Sequence, residues 1–410
     1  MKKTFKFKTS NKLLLLSLIV SVILVVIVIL INIFRVARAE TYYSQYAGER
    51  WTGKKMKYGE VSVFYEDGGG IKKNDIRSIE NKINQKLYDD SYLESRSESR
   101  VWIDGYCGQM AGTLRNNTNT QDVRIYAVGG DFFLIHPIPL AAGSYPDLTS
   151  SDKYQVLLDE YTAWNLFGSS NVAGLKIWMD DTIYTVTGVV RVSTDKDYLQ
   201  AYGNKNSVYI PAEAFAKTTT DENAEDVLEI TCYEAVVPNP IKNYALNTVT
   251  QAVGLEEESE EELKKQRSTL HFAGLEVVEN TDRFGLVSLY KRNRDRKYVD
   301  MKTNHIVYPF WENLARFEQS REIKTVRLMA VLLIIPILTV LSGLVWLFRR
   351  RKVAYKPFIA IKDKISQKME NKKIKRYEEL QRKKAEEAGM AEAVKKSDET
   401  ENETGDGEDE

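Results

Sequence analysis

From Leu13 to Phe34 this chain carries no charged side chain, and from Leu328 to Phe348 it again carries none. Nearly every position of the first run is Leu, Ile or Val, and the second is interrupted only by Pro336, Thr339, Ser342 and Gly343. A helix rises about 1.5 Å per residue, so either run can cross a hydrocarbon core of about 30 Å. A buried helix of a soluble protein is seldom apolar on every face over such a length. Pro336 is tolerable in a membrane, where neighbouring helices re-satisfy a freed carbonyl. Two transmembrane helices, 13–34 and 328–348, are therefore expected.

Their flanks set the orientation. Lys2, Lys3, Lys6, Lys8 and Lys12 precede the first run, and Arg349, Arg350, Arg351 and Lys352 follow the second. Short basic flanks stay in the cytoplasm. Residues 1–12 and the tail 349–410 are thus expected inside and residues 35–327 outside. Arg35 and Arg38 weaken that bias without reversing it. Ala37-Arg38-Ala39 has the small-x-small form of a signal-peptide cleavage site, but the apolar stretch is longer than the 7–15 residues of a signal core. A retained anchor is the reading; cleavage would leave one span in the same orientation.

The outer segment is long enough to bury its own core. Val61 to Tyr65 alternates and is rich in strand formers. Ile76, Ile79, Ile83 and Leu87 fall at helical spacing behind Asn74 or Asp75 as a cap. Val101 to Asp104 and Val123 to Val128 supply two further strands. From 131 to about 222 the pattern changes to short strands and close turns: Gln155 to Leu158, Leu175 to Trp178, Ile183 to Val190 and Ser207 to Pro211. Asp180-Asp181 is the turn of a hairpin. The first pattern then returns as a strand from Val227 to Val237, a helix through Ala245, Leu246, Val249 and Val253, and a strand at Leu275 to Val278. Glu256 to Lys265 reads as a solvated continuation of that helix. The fold class is α+β: two β-α-β units flanking a β-rich insert, between two transmembrane helices.

Phe310, Trp311, Leu314, Phe317, Ile323 and Val326 are spaced for one more helix, and no Gly or Pro separates it from the second span. A stalk over 310–327 would protrude about 25 Å above the membrane. Phe310, Trp311, Leu314 and Phe317 are the expected places of mechanical coupling; a plain juxtamembrane linker is the simpler alternative.

Candidate chemistry is sparse. His136, His271 and His305 are far apart in sequence, with neither zinc-binding His spacing nor a CxxC pair. No phosphate-binding Gly-x-x-x-x-Gly-Lys-Ser/Thr loop occurs. Gly68 to Gly70 and Gly129-Gly130 read as turn glycines. Asp152, Asp195 and Asp197 read as solvated loop residues. No catalytic residue, cofactor, metal or nucleic-acid partner is expected, and neither span holds a charge for an ion relay. Cys107 and Cys232 both lie outside, where oxidation permits a disulfide between them; two buried thiols are the alternative. In the tail, residues 349–376 hold twelve basic and two acidic side chains, whereas 398–410 hold eight acids and no base. The last stretch is expected to be disordered. The basic stretch either marks simple positive-inside topology or also lies along anionic membrane lipid.

Several segments, in order, carry a family likeness: Tyr126-Ala-Val-Gly-Gly-Asp-Phe-Phe-Leu-Ile135, Pro139-Leu-Ala-Ala-Gly143, Ala163-Trp-Asn-Leu-Phe-Gly168, Tyr184-Thr-Val-Thr-Gly-Val-Val190 and Val208-Tyr-Ile-Pro211. Together they resemble the outer core domain of MacB-type ABC transporter permeases, over roughly residues 13–348. The resemblance implies a membrane subunit that couples a partner ABC ATPase to movement of the outer domain, paired with a permease partner or with itself. It brings no catalytic residue. Full permeases of this type resume with two more membrane helices and an ATPase-contacting segment. After Phe348 this sequence continues only as a charged tail, so the outer core with the first two membrane helices is the expected match. The alternative is a membrane-anchored extracytoplasmic binding or scaffold protein without transport activity.

Overall fold

The computed structural model describes residues 2–53, 56–92, 100–203, 206–215, 228–255, 269–294, 305–349 and 361–383. Four expectations fall outside the described residues: the insert's end near 222, the strand start at Val227, the continuation over 256–265 and the acidic end over 398–410.

The chain divides into two compact units. The first comprises residues 1–25 and 333–410. It contains most of helix α1 (Lys2–Ala39) and, after Leu333, a helix over Ile334–Arg349. The two helices meet through a hydroxyl pair: Ser21 Oγ donates to Thr339 Oγ1 at 2.9 Å. Such bonds between spans contribute about 1 kcal/mol in lipid. The helix of the stalk ends at Leu332 and the next begins at Ile334, so the helical run breaks once. Pro336 explains the place, because it has no N–H for the carbonyl of Leu332.

The second unit, residues 26–332, contains the extracytoplasmic domain. After α1 come α2 (Ala47–Trp51), β1 (Tyr58–Tyr65), α3 (Lys73–Asp89), β2 (Ile103–Arg115) and β3 (Thr120–Gly130). The insert supplies α4 (Phe132–Ile135), β4 (Leu140–Gly143), β5 (Gln155–Asp159), α5 (Glu160–Phe167), β6 (Lys176–Met179), β7 (Thr182–Val190), α6 (Lys196–Tyr202) and β8 (Ser207–Pro211). The second α/β unit is β9 (Cys232–Pro238), α7 (Tyr244–Ala252), β10 (Thr269–Phe272) and β11 (Leu275–Glu279). Helices α8 (Leu286–Arg294) and α9 (Phe310–Leu332) complete the domain, and the membrane helix Ile334–Arg349 is α10.

All these strands join one sheet in the order β10-β11-β1-β9-β2-β3-β8-β5-β7-β4, with β6 beside β2 and β7. The two β-α-β units interleave at its centre: β1 lies between β11 and β9, and β9 between β1 and β2. The insert extends the same sheet, entering through the parallel pairing of β3 with β8. Asp180-Asp181 does form the two-residue turn of the β6–β7 hairpin, with Asp180 in the left-handed region at φ 51°.

Local chemistry accounts for the elements. In α3 the four apolar residues at helical spacing are all buried, and the Asp75 carboxylate accepts from the Lys72 backbone N–H at its start. Asp159 caps α5 by accepting from the Thr162 N–H at 2.6 Å, and Gly168 ends that helix at φ 67°, a conformation costly for side chains with a Cβ. Asp159 also accepts from the Tyr202 hydroxyl and the Ser207 N–H, so one carboxylate ties α5, α6 and β8 together.

Seven of the eight residues of β1 are buried, because both faces of the sheet are covered. Val61, Val63 and Tyr65 face the core beneath α3 and α7. Phe64 faces a second core containing Tyr126, Phe132, Tyr209, Phe310 and Trp311. The base of α9 therefore packs on the sheet as a layer of the domain.

Candidate functional site: the base of the stalk helix

The face of the sheet under α9 is polar where strand alternation alone would place solvent. Glu60 and Ser62 on β1, Glu234 on β9 and Glu276 on β11 are all buried there. The stalk answers with its own polar stripe, for Glu312, Arg316 and Gln319 fall at helical spacing and are also buried.

Arg283, in the turn after β11, is the hub. Its guanidinium donates to both oxygens of Glu312, at 2.7 and 2.9 Å. It also donates to Gln319 Oε1, Gln45 Oε1 and Asn280 Oδ1. Arg316 bridges onward, donating to Glu312 at 2.6 Å and pairing with Glu276 on β11. The Tyr308 hydroxyl donates to Glu276 at 2.7 Å, and the Arg316 guanidinium lies 3.9 Å from the Tyr308 ring centre. Burial pushes the Glu276 carboxyl up, but Arg316 and His271 outweigh it and hold the group at about 2. Burial also pushes Glu312 up, and Arg283 and Arg316 together bring it below the usual range. Both acids stay charged, so the network is ionic throughout.

A second set of pairs fastens α1 to α9. Arg35, the first residue after the uncharged run, donates to Glu322 at 3.0 Å with both side chains buried. Arg38 reaches Glu318 at 3.5 Å and Asp197 at 3.1 Å. Arg321 pairs with the same Asp197 and with Glu318, and the Tyr42 hydroxyl donates to Glu318 at 2.8 Å. Asp197 belongs to α6, so three elements distant in sequence converge on these carboxylates. This corrects the reading of Asp197 as a solvated loop residue; Asp195 is the N-cap of α6 and accepts from the Asp197 N–H.

The expected coupling residues separate here. Phe310, Trp311 and Leu314 are buried, whereas Phe317 is half-buried. Trp311 packs against Tyr126, Phe132 and His136, with ring centres 4.6–5.4 Å apart. His136 pairs with Glu234, which also accepts from Ser62 Oγ at 2.7 Å, so the aromatic seat rests on the polar stripe. Beside it opens a cavity of about 830 Å³, lined by Arg38, Tyr42, Arg191, Tyr198, Phe310 and Leu314 among others. Cys107 and Cys232 stand directly opposite each other on β2 and β9, as fully buried free thiols. Among the described residues no cluster of His, Cys, Asp or Glu has the makings of a metal site.

Arg283, Glu276, Arg35 and Glu322 escaped the sequence reading, because charged residues scattered along a helix or strand read as solvated. The available signal was the i, i+4, i+7 spacing of Glu312, Arg316 and Gln319 on a helix whose other face is aromatic.

Fold and site define a membrane protein with an extracytoplasmic α+β domain. Residues 13–243 match the MacB-like periplasmic core domain family, and the chain belongs to that family. Among solved structures, the extracellular domain of the noncanonic ABC-type transporter YknZ from Gram-positive bacteria is 10% identical. That match covers 53% of this chain and 99% of that one, with a TM-score of 0.33. The periplasmic region of MacB from Actinobacillus actinomycetemcomitans is 14% identical, covering 60% of this chain and 94% of that one, with a TM-score of 0.35. No curated protein sequence matches the chain. The family is one of ABC transporter permease components, and the stalk base at 310–332 lies beyond the matched residues.

Proposed function

We propose that this chain is a permease-type subunit of an ABC assembly. In this reading a partner ATPase drives the membrane helices, and the extracytoplasmic domain moves with them. The chain pairs in the membrane with itself or with a fuller permease. Spans at 13–34 and 328–348 leave residues 1–12 and 349–410 in the cytoplasm and 35–327 outside. The supporting observation is the buried ionic seat of α9, in which Arg283 and Arg316 hold Glu312 against the sheet while Arg35 holds α1 to Glu322. A charge buried in this way strongly resists losing its partner. The seat therefore moves as one piece with both helices, and a tilt at the membrane is delivered to the sheet. The chain itself does no chemistry; nucleotide hydrolysis belongs to the partner.

A pull-down through the C-terminal tail in mild detergent tests this. Recovery of an ATPase with a phosphate-binding loop, together with a permease subunit or a second copy of this chain, is expected. Repeated recovery of no ATPase would overturn it. The membrane-proximal cavity favours a second reading, an anchored binding protein without transport activity, and the same experiment separates the two.

A further inference from the structure

Helix α8 turns an apolar face to the outside of the domain. Leu286, Val287 and Tyr290 are 47, 66 and 72% exposed. They fall at i, i+1 and i+4, on one side of the helix. Leu289 and Arg292, on another side, are buried; Arg292 donates to the Glu279 carbonyl and so fixes α8 to the end of β11. The exposed face is thus held in place, without a partner among the described residues.

The position of that face says what covers it. The turn before α8 is tied to the membrane end of α1, because the Arg35 guanidinium donates to the Phe284 carbonyl at 2.7 Å. Arg35 directly follows the uncharged run, whose last residues, Ile33 and Phe34, are exposed for lipid. Phe284 therefore sits at the level where the hydrocarbon core ends. Leu286 comes two residues later, within about 7 Å along the chain. Around Phe284 gather Tyr42 and Tyr46, with ring centres 6.1 and 6.2 Å away, the aromatic company typical of a membrane boundary. An amphipathic helix at this depth, with Leu, Val and Tyr outward and Lys291 beside them, has the composition of one lying in the interface.

We propose that α8 is an interfacial helix whose Leu286, Val287 and Tyr290 rest in the outer leaflet, giving the domain a third contact with the bilayer besides its two spanning helices. Lipid is the occupant; water or a second protein surface are the competing outcomes.

Spin labels on the full chain reconstituted in vesicles of phosphatidylcholine and phosphatidylglycerol provide the test. Single variants Leu286→Cys, Val287→Cys and Tyr290→Cys are labelled, the native thiols being fully buried. Ile183→Cys serves as the aqueous reference; Ile183 is exposed at the start of β7, whose other end leads into the cavity, about 25 Å away at strand rise. Collision rates with oxygen, which concentrates in lipid, and with a water-soluble nickel chelate are compared. The oxygen-to-nickel ratio at Val287 and Tyr290 should exceed that at Ile183 at least threefold. A ratio equal to the reference would place the face in water and overturn the proposal. Low collision with both reagents, with dipolar broadening between labels, would assign the face to a second copy and overturn it equally. Leu286 gives an independent reading if either neighbouring variant misfolds.

Discussion

Glu60 shows how much a single buried side chain sets the chemistry of this domain. It is fully buried under α2, accepting from the Ala47 N–H at 2.8 Å, and among the described residues no cation forms an ion pair with it. Burial, reinforced by Glu234 and Glu49, pushes its carboxyl from the ordinary range up to about 8. In the folded chain the group therefore holds its proton up to about pH 8, whereas in the unfolded chain it releases it near 4.5. Between those limits the folded state binds more protons, so Glu60's contribution to stability is complete below about pH 4.5 and is lost as pH rises through 8. Glu60→Gln keeps the acceptor and removes the titration. Its thermal midpoint in detergent should match that of the parent at pH 5 and exceed it at pH 9 by several degrees, about 2–4 °C per kcal/mol. Equal midpoints at pH 9 would show that Glu60 is charged at no cost.

Among the elements, the stalk helix was only half legible in the sequence. Its aromatic side was readable because Phe310, Trp311 and Leu314 follow helical spacing, and all three are buried. Its opposite side was not, because Glu312, Arg316 and Gln319 look solvated until β1 and β11 bring Glu60, Ser62 and Glu276 beneath them. Those strand residues are hidden in the same way: polar alternation usually marks an open face, and here a helix covers it. The β-α-β units and the Asp180-Asp181 hairpin were readable from local pattern; the single sheet was not, since β3–β8 joins residues about 80 apart in sequence. The expected coupling residues also differ in consequence. Trp311→Ala opens a void among Tyr126, Phe132 and His136 and should cost about 3–5 kcal/mol, read as a large drop in thermal midpoint. Phe317→Ala, at a half-buried position, should cost about 1 kcal/mol or less. Similar losses in both would show that Trp311 is packed no more tightly than Phe317.

For the whole molecule the proposed topology places one end of every experiment outside and the other inside. The native cysteines are buried, so single added thiols report cleanly. In intact cells Ser151→Cys, exposed in the insert, should react with an impermeant maleimide, while Thr400→Cys should react only after the membrane is opened. Labelling of Thr400→Cys in intact cells would invert the orientation. The pair that holds the two helices together, Arg35 with Glu322, joins positions 287 residues apart. A ribosome makes them in that order. In the proposed topology Arg35 is thus at the outer face before its carboxylate partner exists, and the pair can close only after the whole domain between them has been made.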